Sequence, residues 1–275
     1  MVCEYMNMEL NDILELEGVK EYKESQWDHY SYNNSGVPRV THILSQCRDS
    51  QYLINWAANI GYRKYQYYTE KALEIGSLSH ELIDEYIMTK YNKTSVTDLT
   101  YENIEPEYRA SVYNCVENFK LWEENLNKLG YFIDKVIGVE IPISCPWFGG
   151  TIDAILVING ATYIIDFKTS KKISSEYLVQ VAAYMWLVNN GFASNLPHID
   201  GVGIIRIDKA KYGKFEDVFL NSFVPEQNNM ILNYQNCFTA YLSAYYRTVN
   251  INYITDNYKN TYDQSNVFNK LKEAS

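Results

Sequence analysis

The fold is decided by residues 150–170, which read GTIDAILVINGATYIIDFKTS. Asn159-Gly160 stands between two apolar runs, and this dipeptide is the strongest short-range signal for a two-residue β-hairpin turn. The runs, 152–158 and 161–167, are rich in Ile, Val, Tyr and Phe, which favour strands. Because each run is apolar at neighbouring positions, both are typical of central strands buried on both faces of a sheet.

The turn also predicts which residues face each other. Ile158 pairs with Ala161, and every further pair has residue numbers that sum to 319. Asp153 and Asp166 satisfy this sum, so we expect them directly opposite each other with Cβ atoms about 4.5–5.5 Å apart. Lys168 points to the same face as Asp166, because side chains alternate along a strand.

The predicted acid pair needs a compensating charge. Two facing carboxylates in an apolar sheet repel each other and lose hydration. Either one acid is protonated or a cation sits between them, and oxygen ligands suit Mg²⁺ or Mn²⁺. Such a cation can coordinate a phosphate oxygen and lower the pKa of bound water, while Lys168 orients the hydroxide or stabilises developing charge. The alternative is a structural cluster in which Lys168 neutralises one acid.

The surrounding sequence predicts a single domain around this hairpin. Helical periodicity extends over 37–130, and the pattern then becomes a core of strands and helices over 131–223. This core has strands at 131–143, 149–158, 161–168, 201–208 and, at the edge, 215–223, with a helix at 174–190. The order predicts an α/β fold whose mixed central sheet has flanking helices, preceded by an N-terminal helical region.

Three further segments complete the predicted organisation. A C-terminal helix over 226–248 closes the domain, which therefore spans 37–248. An acidic extension without clear periodicity, 1–36, precedes it. An Asn- and Tyr-rich polar tail, 249–275, follows it, and we expect this tail to be loose.

Charge and cysteine content narrow the class of protein. The formal net charge of −10 argues against a general nucleic-acid binder, which is usually basic. The acidity is concentrated at the N-terminus: residues 1–30 carry eight acids and two lysines, whereas residues 131–215 carry seven acids and eight bases. The five cysteines include no C-x-x-C pair, so we interpret them as buried small hydrophobic residues and not as disulfides or zinc ligands.

The sequence shows no membrane or export signal. No segment approaches the roughly 18 consecutive apolar residues of a membrane span. The first 25 residues are acidic and match neither a secretory signal nor a transit peptide. We therefore expect a cytoplasmic protein of a bacterial or phage-infected cell, without membrane contact. The acidic N-terminus is an expected binding site for a protein partner.

Four motifs together resemble the PD-(D/E)xK nuclease superfamily, specifically its RecB-like exonuclease branch. In chain order they are Gly76-Ser-Leu-Ser-His80, Gly150-Thr-Ile-Asp-Ala154, Ile165-Asp-Phe-Lys-Thr-Ser170 and Gln180-Val-Ala-Ala-Tyr184. Their order and spacing match over roughly residues 37–210, nearly two thirds of the chain. A lone D-x-K motif is weak evidence for this superfamily, whereas the four motifs in this order are specific to it. A looser similarity extends to mitochondrial genome maintenance exonucleases and phage relatives.

The resemblance implies a restriction-endonuclease-like core and a role for each residue of the central motifs. Asp153 and Asp166 would be metal ligands, and the backbone carbonyl of Phe167 would add another. Lys168 would be the catalytic lysine. His80 would be a further metal ligand, although a lone histidine on such a helix face is more often a core residue.

Three more residues have expected roles only through the resemblance. Gln180 and Tyr184 would contact the DNA or order the site; without the family they are an ordinary pair on a helix surface. Glu140, on the strand before the hairpin, is a weaker candidate for a supporting acid near the metal.

Basic residues near the motifs are candidates for binding phosphates. Residues 61–68 interleave Arg63 and Lys64 with four tyrosines, a mixture that can stack bases and neutralise a single strand. An ordinary amphipathic helix surface explains the same pattern equally well. Lys171 and Lys172 directly follow the strand of Lys168 and are better placed for backbone phosphates.

The expected function is metal-dependent hydrolysis of DNA phosphodiester bonds with Mg²⁺ or Mn²⁺. We expect an exonuclease acting on single-stranded DNA or DNA ends in recombination, repair or phage DNA processing. The alternatives are a structure-dependent endonuclease on the same fold and a non-catalytic member that binds nucleic acid or protein. Some relatives hold an iron–sulfur cluster through four cysteines, three of them beyond the Gln-Tyr helix. Here only Cys237 follows Gln180, so no cluster is expected.

Overall fold

The computed structural model describes residues 29–32, 35–46 and 51–265. Most of the acidic N-terminal segment lies outside these residues, and so does the expected protein-binding site on it. No helix within the described residues is long and apolar enough to cross a lipid bilayer.

The described chain begins with a short antiparallel hairpin of β1 (His29–Tyr32) and β2 (Ser35–Pro38). The last described residues of the expected acidic extension over 1–36 therefore lie in strands. β1 alternates His and Ser with Tyr over its four residues, which is a strand signal too short to stand out in the sequence. The helical region follows as predicted, with α1 (Val40–Gln46), α2 (Gln51–Ile60), α3 (Tyr62–Ile87) and α4 (Pro106–Lys128).

A five-stranded mixed sheet forms the centre of the protein, which confirms the predicted α/β class. Its strands, in spatial as well as chain order, are β3 (Ile133–Ser144), β4 (Gly149–Ile158), β5 (Ala161–Lys168), β6 (Gly201–Ile207) and β7 (Phe215–Asn221). Neighbouring strands are antiparallel except for β5 and β6, which are parallel. This parallel pair requires a crossover, and α5 (Ser175–Leu187) supplies it.

The turn between β4 and β5 has the predicted geometry. Asn159 and Gly160 both have positive φ, 47° and 79°, as a type I′ turn requires. The register is also confirmed, because the observed pairs extend from Ile158–Ala161 to Ala154–Ile165 and each sums to 319. The Asn159 side chain fixes the turn further by accepting a hydrogen bond from the Phe132 N–H.

Helices cover both faces of the sheet, and two apolar cores result. On one face, α1, α5 and α6 (Pro225–Ser265) pack against residues such as Ile152, Ile164 and Val202. On the other face, α3 and α4 pack against residues such as Leu156 and Phe167. The central strands are therefore buried on both sides, as their apolar runs predict.

The last helix is longer than the sequence predicts. The expected helix ends at 248 and the tail after it is expected to be loose, whereas α6 continues to Ser265. The segment contains neither Gly nor Pro after Pro225, and extending an existing helix costs much less than starting one. Residues 266–275 lie outside the described part of the chain.

Candidate active site

The site lies at the end of β4 and β5 that is remote from the turn. The paired part of the two strands stops at Ala154–Ile165, and Asp153 and Asp166 occupy the next step of the same register. There the Asp153 carboxylate accepts a hydrogen bond from the Phe167 N–H, with 2.8 Å between Oδ2 and N. The Asp153 side chain thus accepts a hydrogen bond that a backbone carbonyl of the neighbouring strand would otherwise accept. The two acids therefore lie just beyond the last backbone-paired residues of β4 and β5.

Asp166 is buried, and two side chains contact it. Its Oδ1 accepts hydrogen bonds from Lys168 Nζ at 2.8 Å and from Gln180 Nε2 at 3.0 Å. Its Oδ2 lies 2.7 Å from Lys168 Nζ, but no described residue donates a hydrogen bond of good geometry to it. Burial raises the pKa of Asp166 to about 6, although the charge of Lys168 opposes this shift. The carboxylate is therefore charged at neutral pH and keeps one oxygen with spare capacity as a ligand.

Lys168 keeps its charge in this partly buried position. Burial alone lowers the pKa of Lys168, but Asp166 and Asp153 together raise it more, so the net pKa is above its usual value. The ammonium also lies 4.8 Å from the centroid of the Tyr177 ring, a favourable cation–π distance. The structural alternative from the sequence, that Lys168 neutralises one acid, thus accounts for Asp166. It leaves Asp153 without a contacting cation.

Asp153 belongs to a second group of ligand atoms. His80, Glu140 and Asp153 each place one such atom within 4.8 Å of the others. A metal with bonds of about 2.1 Å spans about 4.2 Å between opposite ligands, so one cation can bridge this group after a small adjustment. Among the described residues, Asp166 is not a member of the group and contacts Lys168 and Gln180 instead.

His80 has the protonation state that metal binding requires. Burial, followed by the charge of Lys168, lowers the pKa of His80 to about 4, so the imidazole is neutral at pH 7. A hydrogen bond with the Phe167 backbone opposes this shift, and the His80 ring also lies 5.8 Å from the Phe167 ring in an edge-on contact. The Nδ1 atom lies 3.6 Å from Asp153 Oδ2. The structure therefore brings His80, Asp153 and Phe167 together as the resemblance implies.

Glu140 lies opposite Asp153 on the neighbouring strand. The pairs Val139–Ala154 and Ile141–Ile152 flank this position. Glu140 has an unusual φ of 47°, in the left-handed region. Partial burial, and then the charge of Asp153, raises the pKa of Glu140 to about 7. Glu140 is thus closer to the centre of the site than the sequence indicates.

Asp84 is an acid of this region that the sequence analysis misses. It lies on α3 one turn after His80, is only 4% exposed, and its Oδ1 has no hydrogen-bond partner among the described residues. Burial, and then the charges of Glu140 and Asp153, raises the pKa of Asp84 to about 9. The sequence could have identified Asp84 through its four-residue spacing from His80, because this spacing places both side chains on the same face of a helix.

A cavity of about 530 Å³ lies beside these acids. Its walls come from α3, from β3 and from the loop after α3, and they contain Ser77, His80, Glu81, Asp84, Val96, Thr97, Val139 and Glu140. The Thr97 hydroxyl donates a hydrogen bond to Glu81, which ties the loop to the helix. The cavity is therefore acidic, and none of these lining residues is a lysine or an arginine.

Gln180 and Tyr184 hold the site together from α5. Both side chains are buried, with 7% and 3% exposed, and Gln180 Nε2 lies 3.4 Å from the Tyr184 hydroxyl. A Cβ atom at Gly150 would lie 2.5 Å from the Tyr184 ring, so only glycine fits there. Of the two implied roles, ordering the site agrees with this burial, whereas direct contact with DNA does not.

The basic candidates lie on the surface at different distances from the acids. Lys171 and Lys172 are exposed in the loop directly after β5. The buried Arg206 holds this loop by donating a hydrogen bond to the Ser170 carbonyl. Arg63 and Lys64 are exposed at the start of α3, about 25 Å from His80 at 1.5 Å per helical residue. Only the first pair is near the site.

Comparisons with known proteins assign no function to the chain. No family model matches it, and no curated protein matches it. One similar solved structure is described as "Crystal structure of SSO0001", with 13% sequence identity over 84% of this chain and 85% of that chain and a TM-score of 0.28. Since a TM-score this low carries no argument, the site has to be interpreted from its own geometry.

Proposed function

We propose that the chain is a metal-dependent nuclease that hydrolyses DNA phosphodiester bonds. The observation that carries this proposal is the group of His80, Glu140 and Asp153, whose ligand atoms lie within 4.8 Å of one another beside the buried Asp166–Lys168 ion pair. Lys168 contacts both oxygens of Asp166, whereas no lysine or arginine among the described residues forms an ion pair with Asp153 or Glu140. A cation bound to this group would compensate the carboxylates that Lys168 does not pair with.

The donor set fits a hard divalent cation. Asp153 and Glu140 would provide carboxylate oxygens, and neutral His80 would provide nitrogen. The resemblance adds Asp166 and the Phe167 carbonyl as further oxygen ligands. These donors suit Mn²⁺ and Mg²⁺ better than a soft metal. When bound, the cation would supply Lewis acidity and lower the pKa of a coordinated water.

The side chains of the protein have separate tasks in this proposal. Lys168 is charged and lies where it can stabilise negative charge that develops on the attacked phosphate. Gln180 donates to Asp166 and holds the carboxylate in one orientation. Lys171 and Lys172 are exposed and can bind the phosphates of the strand.

We further propose an exonuclease that acts on single-stranded DNA or DNA ends. This finer statement rests on the resemblance of the four motifs to the RecB-like branch. An endonuclease on the same fold would use the same active-site residues, so the choice of an exonuclease depends on the motifs and not on the site. A binding-only protein has little reason to retain buried acids such as Asp153 and Asp84, whose burial raises their pKa and destabilises the metal-free fold.

The test is cleavage of linear and circular single-stranded DNA of one sequence with Mg²⁺ or Mn²⁺. The wild-type protein should degrade the linear form alone. Lys168→Ala should lower the rate at least roughly 100-fold, the scale for losing one group that stabilises transition-state charge. Lys128→Ala, at an exposed position beside the β4–β5 turn and so at the opposite end of these strands from the site, serves as the matched control and should retain the rate.

Each other outcome has a defined meaning. Degradation of both the linear and the circular DNA would support the assigned active site but would identify the protein as an endonuclease. Equal rates for the wild-type protein and Lys168→Ala would remove the assignment of the site. No cleavage of single-stranded DNA, double-stranded DNA or RNA with either metal would favour the binding-only alternative.

A further inference from the structure

A second cavity lies at the end of the sheet that is opposite the acids. Its volume is about 680 Å³, and its walls come from the β4–β5 turn, the C-terminal end of α4 and residues of β5 and β7. Ala161 lines this cavity and lies five residues before Asp166 on β5, or about 17 Å at 3.3 Å per residue. The cavity is therefore separate from the proposed nuclease site.

Four aromatic rings line this cavity: Tyr131, Tyr163, Phe219 and Phe223. Two of them are fixed in place. The Phe219 ring stacks on Trp122 and lies edge-on to Tyr163, with 5.5 Å between the ring centroids of Tyr163 and Phe219. The Tyr163 hydroxyl accepts a hydrogen bond from Asn221 Nδ2. By contrast, Tyr131 and Phe223 are more than half exposed, which leaves ring surface for a ligand to cover.

The charge of the lining disfavours anions. The described residues that line the cavity include one carboxylate, that of Asp217, and neither lysine nor arginine. Asp217 Oδ2 accepts a hydrogen bond from the Trp122 indole N–H at 2.8 Å, and Oδ1 accepts none from a described residue. The carboxylate repels a phosphate and attracts a positive group. DNA is accordingly not the ligand of this cavity.

Aromatic rings around a single carboxylate suit an organic cation. Ring faces attract a cation through their quadrupole, and the attraction grows when water is excluded. Because the lining has one carboxylate, the matching ligand carries one positive charge, and the apolar surface around it suits an apolar body. The volume also lies within the roughly 300–1,000 Å³ that is usual for small-molecule sites.

We propose that this cavity binds a small organic ammonium ion with an aromatic or other apolar body. The site goes beyond the proposed nuclease function, because neither its residues nor its ligand take part in DNA cleavage. It also assigns a role to Asp217, which lies outside all four sequence motifs.

The test is isothermal titration calorimetry of the whole chain with benzyltrimethylammonium, which joins one permanent positive charge to one aromatic ring. Phenylacetate has a similar size and a negative charge, and it serves as the control ligand. The wild-type chain should bind the cation saturably and phenylacetate at least roughly 10-fold more weakly, because the carboxylate and the rings both favour the positive group.

Two variants locate the bound cation. Asp217→Asn keeps an acceptor for the Trp122 indole but removes the charge, and it should weaken binding about 5-fold. Phe223→Ala removes an exposed ring and should weaken binding about 2–10-fold, the range of one cation–π contact. The matched controls are Glu226→Gln, an exposed acid at the start of α6 that does not line the cavity, and Tyr212→Ala, an exposed ring between β6 and β7. Both should bind as the wild type does.

The remaining outcomes would contradict the proposal. Equal affinities of the wild type for benzyltrimethylammonium and phenylacetate would overturn the choice of a cation. Unchanged affinity in Asp217→Asn and Phe223→Ala, or no saturable binding to the wild type, would overturn the site. Phe223→Ala alters an exposed side chain, so it decides the matter even if Asp217→Asn does not fold. Since the titration contains no DNA, its result is independent of the nuclease assignment.

Discussion

At the scale of single residues, the site depends on how Asp166 is held. Lys168 contacts both oxygens of this carboxylate and Gln180 donates a hydrogen bond to Oδ1, which together fix its orientation. Gln180 is itself buried and lies next to the Tyr184 hydroxyl. Its role in our proposal is therefore to position Asp166 and not to contact the substrate.

Replacing Gln180 with leucine should reduce turnover while leaving substrate binding nearly intact. The apolar side chain retains the packing but removes the donor to Asp166, and loss of such a supporting contact typically costs about 10–100-fold in activity. The measurement is kcat and KM for DNA cleavage, with Gln66→Leu at an exposed position as control. A raised KM with unchanged kcat would instead mean that Gln180 contacts the DNA.

The sequence identifies most of the residues that the structure brings together, but it misses Asp84. Asp153, Asp166 and Lys168 are predictable because they interrupt apolar strand runs, where a charge is unusual. Asp84 stands among Glu81 and Glu85 on a helix, which is typical of a solvated face. In the structure it lines a cavity together with Val96 and Thr97 of the loop after α3, and the position of such a loop has no signal in the sequence.

At the scale of elements, the β4–β5 turn determines the register of the site. A two-residue turn permits one pairing, and a shift by a single residue would send the acids to opposite faces. This is why the register could be predicted from the sequence. The end of α6 could not, because nothing in the sequence before Ser265 marks a stop.

Two glycine-to-alanine substitutions should have opposite effects on stability. Gly160→Ala places a side chain at a φ of 79°, which should lower the free energy of unfolding by about 1–2 kcal/mol. Gly76→Ala lies inside α3, and its Cβ would lie 3.6 Å from Thr169 Oγ1, an ordinary contact. It should raise stability by about 0.5–1 kcal/mol. Urea denaturation measures both, and equal effects would contradict the type I′ turn.

At the scale of the whole molecule, burial of acids makes stability depend on pH. Above pH 7, His80 is neutral in both the folded and unfolded chain, and Asp166 has largely ionised. Glu140, with a pKa of about 7 in the folded protein, completes its ionisation between pH 7 and 8 and adds to the pH dependence there. Asp84, with a pKa of about 9, remains protonated in the folded protein, whereas the unfolded chain loses this proton near pH 3.8. The folded state therefore binds more protons, and the free energy of unfolding falls as pH rises from 7 to 9.

We expect the melting temperature of the metal-free protein to fall over this interval. If the folded state holds one proton more than the unfolded state over these two pH units, the free energy of unfolding falls by at most about 3 kcal/mol. For a chain of this size, that lowers the melting temperature by roughly 5–10 °C. Asp84→Asn should remove most of the slope above pH 8, where Glu140 has ionised, and Glu74→Gln should keep it. Differential scanning calorimetry in buffers with a chelator provides the measurement. A flat profile for the wild type would mean that Asp84 is ionised in the folded state.

The short connection between β4 and β5 also bears on how a newly made chain reaches this fold. A hairpin of this kind closes in about 1–10 μs, because its contacts are local. β6 pairs with β5 only after α5 has folded back over the sheet, and such non-local pairing is slow. Until then β5 presents an unpaired apolar edge, and exposed strand edges are where chains associate with one another. The unfinished chain is therefore most vulnerable to aggregation at the strand that carries Asp166 and Lys168.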